Sequence, residues 1–191
     1  MKAPFLERPA SRRTWGAIAV AGYAVHAVTH AWRGQPEHLL WACHLGALCV
    51  GIGLLLRSPA LNAVGFLWLC VGNVLWGIDL FGGGEFIATS LLTHVLGWGI
   101  GCLGVAQLGM PRHSWLRALL AFLALQQLCR LATPPEANVN LAHAVWAGWE
   151  DGFSSYGAYQ ALLLTIAAAS FALLEFATRR MLRRGRMSSA H

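Results

Sequence analysis

The sequence predicts an all-α fold, a polytopic membrane helical bundle of about six transmembrane helices with both termini on the cytoplasmic side. Three observations carry that expectation. The chain of 191 residues is 57% hydrophobic and only 12% charged, with a mean hydropathy of +0.52, whereas soluble domains carry about 25% charged residues. Its apolar residues gather into six runs divided by short polar or Gly/Pro breaks. Lysine and arginine fall almost entirely at alternate breaks, as the positive-inside bias requires.

The runs follow in order. The first, 14–32, stops before Gly34 and Pro36; it is too long, and its flank too charged, for a cleaved signal peptide. The second, 38–56, closes at Arg57–Ser58–Pro59. The third, 60–80, runs into Gly82–Gly83–Gly84, and the fourth, 86–108, ends before Pro111. The fifth, 114–133, meets Pro134–Pro135, and the sixth is 156–178. Only the outer loop 134–155 is long, with Trp146 and Trp149 placed for an interfacial aromatic belt. At ~20 residues per crossing the spans fill residues 1–191 as a single integral membrane domain.

Orientation follows from charge. One side receives Lys2, Arg8, Arg12, Arg13, Arg57, Arg112, Arg117, Arg179, Arg180, Arg183, Arg184 and Arg186, twelve in all, against Arg33 and Arg130 on the other. This points to a multi-pass protein of the inner cell membrane with N-in and C-in topology. The net charge of +6 therefore reports topology and contact with membrane phospholipids, not a nucleic-acid partner. The composition also excludes a disordered chain and an ordinary cytosolic enzyme. Five cysteines, all in or beside apolar runs, do not form a secreted disulfide framework. The sequence sets no oligomeric state.

With this topology the ionisable residues sort to one side. His26, His30, Glu37, His38, His44, Asp79, Glu85, His94, Asn138, Asn140, His143, Glu150 and Asp151 lie toward the outside, while the inner half holds little besides Glu175. Polar groups in a bilayer are costly and mark functional cavities, so the pattern implies a cavity opening outward. His44, six residues past His38, should lie ~9 Å down its helix, and His94, nine past Glu85, ~13 Å down an antiparallel one. The two can meet if their helices are neighbours.

Cys43 beside His44 offers a thiol near an imidazole, the simplest arrangement for a thiolate nucleophile, although adjacent helical residues point ~100° apart. His94 is then the better base for Cys43. His26 and His30, four apart, share a helix face at metal- or haem-ligand spacing, and His44 or His94 could complete such a site. Asn138 and Asn140 are amides able to position a headgroup or an oxyanion, or to shape the turn after Pro134–Pro135. Asp79 flanks the triple glycine, which lacks the Lys or Ser/Thr of a phosphate loop.

The residues Ala42–Cys43–His44–Leu45, Leu54–Leu55–Leu56–Arg57, Phe66, Asp79, Gly84–Glu85–Phe86 and Thr93–His94 resemble those of YwaF-type bacterial integral membrane proteins. That family is related to the transmembrane acyltransferases of ether-phospholipid synthesis. The resemblance covers about 38–96 and, more loosely, Asn138–Val139–Asn140, which lacks the family's tyrosine. It implies an acyl-accepting nucleophile at Cys43 partnered by His44 and His94.

The expected function is a membrane-embedded acyltransferase acting on lipid acyl chains through an outward-facing Cys/His site. Cys43, His44 and His94 would be catalytic, Asn138, Asn140, His143 and Asp79 substrate-binding, and no cofactor would be needed. The alternatives are a haem- or transition-metal-binding membrane protein using His26, His30, His44 and His94, or a non-catalytic transporter or accessory subunit.

Overall fold

The computed structural model describes residues 9–188; Lys2 and Arg8 of the charge count lie outside the described residues, as does the side chain of Arg186. Six α-helices account for the six apolar runs, and no strand occurs among the described residues. They are α1 (Pro9–Trp32), α2 (Ala42–Leu56), α3 (Pro59–Phe81), α4 (Trp98–Leu108), α5 (Ser114–Ala132) and α6 (Tyr156–Ser188). A π-helical segment, Leu92–Gly97, leads into α4, and short 3-10 turns occupy Pro36–Leu40, Pro135–Ala137, Val139–Leu141 and Glu150–Gly152.

Local chemistry sets the helix ends. Ser58 caps α3 by accepting the Leu61 amide at 3.2 Å, with Pro59 opening the helix, where its missing N–H costs nothing. Arg57 closes α2 in the left-handed conformation, φ 56°. The N-terminus of α5 is held from a distance: the Glu175 carboxylate of α6 accepts the amides of His113 at 3.0 Å and Trp115 at 2.9 Å. Glu175 is buried, and its partners explain an acid within the sixth apolar run.

Helix α2 lies between α1 and α3, while α4 and its π segment pack across all three, and α5 joins α3 to α6. The α2–α3 contact is tight because glycines line it. A methyl added at Gly65 would collide with the Gly46 carbonyl, and one at Gly53 with the backbone of Asn62. Close backbone approach through small residues is how membrane helices gain packing without a hydrophobic drive between them.

Three helices are long and apolar enough to cross a membrane: Pro59–Phe81, Ser114–Ala132 and Tyr156–Gly185. Ala42–Leu56 and Leu92–Leu108 are apolar but shorter. The outward faces carry large apolar side chains such as Val28, Ile78, Leu120 and Leu173, a surface suited to hydrocarbon rather than water. This is a helical membrane-protein bundle.

Two expected starts move inward. The second helix begins at Ala42, because Pro36–Leu40 is a 3-10 turn ending at an extended Trp41. His44 is thus in the first helical turn and not six residues deep. The fourth helical segment begins near Ser90, since the loop after Gly82–Gly84 continues through 89, which brings His94 closer to the helix end as well.

Candidate functional site

Four histidines from three helical segments converge at one end of the bundle. His26 and His30 come from the last turns of α1, His44 from the first turn of α2 and His94 from the π segment. All four are buried. Ring centroids run His30–His26 4.6 Å, His26–His44 4.4 Å and His44–His94 5.6 Å. His38 adds a fifth ring, 5.1 Å from His30, on the loop side. At the other end Trp76 of α3 stacks on His94, centroids 4.5 Å apart and planes within 12°.

Hydrogen bonds fix which nitrogens carry protons. His44 Nδ1 lies 2.8 Å from the His38 carbonyl oxygen, which can only accept, so Nδ1–H donates and Nε2 keeps the lone pair. Asn73 Nδ2 donates to the His94 carbonyl at 3.0 Å, which turns its Oδ1 toward His94 Nδ1 at 2.8 Å. His94 Nδ1–H therefore also donates, leaving its Nε2 lone pair free. The Nε2 atoms of His26 and His44 are 3.1 Å apart, and His26 Nδ1 is 2.9 Å from Thr89 Oγ1. With His44 Nε2 unprotonated, His26 Nε2–H donates to it and Thr89 donates to His26 Nδ1. His30 Nδ1 is buried with no hydrogen-bond partner, an uncommon condition for a buried polar atom.

Donor atoms group into two trios, His26–His30–His44 and Cys43–His44–His94, each with its atoms within 4.8 Å of one another. Cys43 reaches the cluster because α2 presses against α3 at this level: its Cβ sits over Gly72, where any side chain would displace it. The spacing of His26 and His30 on one face, noted in the sequence, is realised, and so is the meeting of Cys43 and His44 with His94.

The other expected residues serve elsewhere. Asn140 Oδ1 accepts the Ala42 amide at 2.8 Å, while its Nδ2 donates to the Leu40 carbonyl at 2.7 Å and contacts Cys129 Sγ at 3.3 Å. It ties the loop 134–155 to the start of α2. Asn138 accepts the amides of His143 and Ala144, both at 3.0 Å, and donates to the Ala144 carbonyl at 3.1 Å. Both amides are occupied within the fold and neither is presented as an oxyanion donor. His143 is 3.3 Å from Thr133 Oγ1. Asp79 is exposed at the end of α3, its carboxylate lying over Gly84.

Sequence reasoning missed Asn73, Trp76 and Thr89, which orient the rings. Asn73 had a signal, being a polar side chain within an apolar span; Thr89, on a loop, had none. An ion pair between Arg33 and Glu85 joins the end of α1 to the loop that carries Thr89.

Fold and site define a helical membrane protein with a buried histidine–cysteine cluster. No protein family's profile matches the chain, and comparisons with curated proteins and with solved structures find no match. The resemblance to YwaF-type proteins rests on the residues quoted for it, and the chemistry of the site on its geometry.

Proposed function

We propose that this chain is a multi-pass inner-membrane protein that binds a transition-metal ion within the cluster formed by His26, His30, His44, His94 and Cys43. The observation that carries the reading is the approach of His26 and His44, Nε2 to Nε2, at 3.1 Å. Two imidazole nitrogens on one ion at ~2.0–2.1 Å in tetrahedral geometry stand ~3.3 Å apart, so the pair already has the separation of two ligands. The remaining ring nitrogens of His44 and His94 donate to a backbone carbonyl and to an amide oxygen. That is the supporting shell found behind metal-ligating histidines. A buried, partnerless His30 Nδ1 is a further donor atom with its lone pair or proton unaccounted for.

A bare ion suits this arrangement better than haem. Two axial nitrogens on one haem iron stand about 4 Å apart at ~2.0 Å each, with a flat macrocycle between them. Here the rings of His26, His30 and His44 touch edge to face and leave no slot for a plane.

Topology follows the arginines. Arg57, Arg112, Arg117, Arg179, Arg180, Arg183 and Arg184 lie at one set of helix ends and Arg33 and Arg130 at the other, a distribution that supports six spans with both termini cytoplasmic and the cluster toward the outer face. The test is elemental analysis of the full chain purified in detergent, followed by chelator stripping and reloading. The expected result is bound metal in the wild type and its loss in the double variant His26→Ala, His44→Ala. A protein that is metal-free as isolated and takes up no added ion overturns the reading.

Acyl transfer stands second, favoured by Cys43, His44 and His94 lying within 4.8 Å. In it the Cys43 thiol would pass its proton to His94 Nε2 as Sγ attacks a phospholipid ester carbonyl. The lysolipid alkoxide would leave with that proton, and an acceptor hydroxyl would then attack the thioester. It ranks lower because the side chains of Asn138 and Asn140 are occupied within the fold. Full lipid-remodelling activity of Cys43→Ala in proteoliposomes would remove this mechanism.

A further inference from the structure

The metal reading deepens when the two trios are compared. They share His44, and His44 has one lone pair to give. Its Nδ1 is committed to the His38 carbonyl at 2.8 Å, so any ion in either trio must use Nε2. A lone pair along the ring bisector serves one ion at a time, and bridging two ions would require an imidazolate with both nitrogens free. Filling both trios together is therefore excluded while the His38 contact stands.

The trios also differ in chemical character. His26–His30–His44 offers three nitrogens and lies on the side of His38 and the outer loops. Cys43–His44–His94 offers a sulfur and two nitrogens and lies against Trp76 and Asn73. Nitrogen donors suit borderline divalent ions, and thiolate draws softer ones. Relaxation needs are small: His94 presents Nε2 already, and His26 needs only a tautomer change, its Nδ1 then donating to Thr89 Oγ1.

Resting on the metal reading, we infer that the site holds a single borderline-to-soft transition-metal ion that occupies either of two positions, an all-nitrogen one nearer the loops and a sulfur-containing one nearer Trp76, with His44 as the shared ligand on which it pivots. Entry into the second position converts the Cys43 thiol to a thiolate, its proton passing to solvent as the sulfur–metal bond forms. Nothing is oxidised or reduced in the step.

The test uses the full chain in detergent, stripped and titrated with cobalt(II), which reports sulfur ligation through a near-ultraviolet thiolate charge-transfer band. The wild type is expected to saturate at one equivalent and to show the band. Cys43→Ser should still bind one equivalent, without the band. His30→Ala should bind one equivalent with the band strengthened, because the all-nitrogen position has lost a ligand. His44→Ala should lose affinity by about ten-fold or more against either single variant, with circular dichroism checking that it folds. His44→Gln, which preserves side-chain bulk, serves as a second variant if the alanine protein does not fold. Two equivalents in the wild type overturn the pivot. So does an equal loss in Cys43→Ser, His30→Ala and His44→Ala, which would mean one undivided site. Absence of cobalt binding in the wild type overturns the metal reading itself, a result distinct from these.

Discussion

Asn73 and His94 hold each other twice: the Asn73 amide nitrogen donates to the His94 carbonyl at 3.0 Å, and its oxygen accepts from His94 Nδ1 at 2.8 Å. The double contact spans α3 and the π segment, and it fixes both the backbone and the ring of one residue. A π turn is a frequent accompaniment of functional sites because it re-aims side chains at a cost in helix regularity. Here it turns His94 toward His44 while Asn73 holds the His94 carbonyl. Replacing Asn73 with leucine keeps the volume and removes both contacts. Metal affinity, read by competition with a chromophoric chelator, is expected to fall by about 10–100-fold. An unchanged affinity would deny Asn73 any role in orienting the ligand.

Acid should weaken the fold through His38. Its imidazole is pulled below the ordinary 6.5 chiefly by burial; Arg33 pulls the same way and Glu37 opposes. His38 also faces His30 and Trp41. Since the folded state holds the proton less well than the unfolded state, the unfolded chain binds more protons below about 6.5 and stability rises with pH. The contribution is complete above 6.5 and is lost as pH falls below it. The thermal midpoint of metal-stripped protein is expected to be lower at pH 5.5 than at pH 7.5, conditions chosen on either side of the free-imidazole range. His38→Gln should reduce that slope while keeping the backbone carbonyl that anchors His44. A slope identical in the variant would remove His38 as its source.

Asn140 distinguishes a structural role from a catalytic one. Its side chain bonds to Ala42 N and Leu40 O, across the break between the 3-10 turn and α2, and its own carbonyl accepts from Gln126 Nε2 at 2.9 Å. Asn140→Ala strands a backbone donor and acceptor and is expected to cost about 1–3 kcal/mol, seen as a lowered unfolding midpoint. An unaltered midpoint combined with lost lipid turnover would instead restore the oxyanion role.

How much of this was legible in the sequence depends on distance along the chain. Six helices were readable because apolar runs and Gly/Pro breaks are local features, and their ends at Leu56, Ala132 and Tyr156 fall close to the expected boundaries. The histidine pair on α1 was readable from its spacing. The meeting of His44 with His94 needed helix packing, which glycines such as Gly46, Gly65 and Gly72 decide through close approach. No periodicity announces which glycine meets which helix. The tasks of Thr89 and Asn140 depend on contacts 63 and 98 residues away, and the Asn73 contacts of the π segment on another helix, and they stayed hidden for that reason.

The glycine seam can be tested within a single helix. A methyl on Gly65 meets the Gly46 carbonyl and the chain around Val50, whereas a methyl on Gly77, twelve residues later in α3, meets nothing within 4 Å. Gly65→Ala is expected to destabilise by about 1–3 kcal/mol through overpacking. Gly77→Ala should be neutral or stabilising by up to ~1 kcal/mol, since alanine restricts the unfolded chain. Equal midpoints for the two variants would mean that α2 and α3 are not held at this separation.

Glu175 should behave as a cap supplied by another helix. Its two carboxylate oxygens each take one amide of the first turn of α5, from His113 and Trp115, where the helix leaves donors unsatisfied and its dipole favours negative charge. Arg179, four residues on, lies 3.5 Å from the same carboxylate. Glu175→Gln retains one acceptor oxygen and turns the other into a donor facing an amide N–H, so one bond is replaced by a repulsion. The expected cost is about 1–2 kcal/mol, with Glu175→Ala at least as large, and both read as lowered unfolding midpoints. Arg179→Ala should change much less, because the two backbone bonds survive it. If Arg179→Ala matched Glu175→Ala, the ion pair and not the cap would be holding α6 against α5.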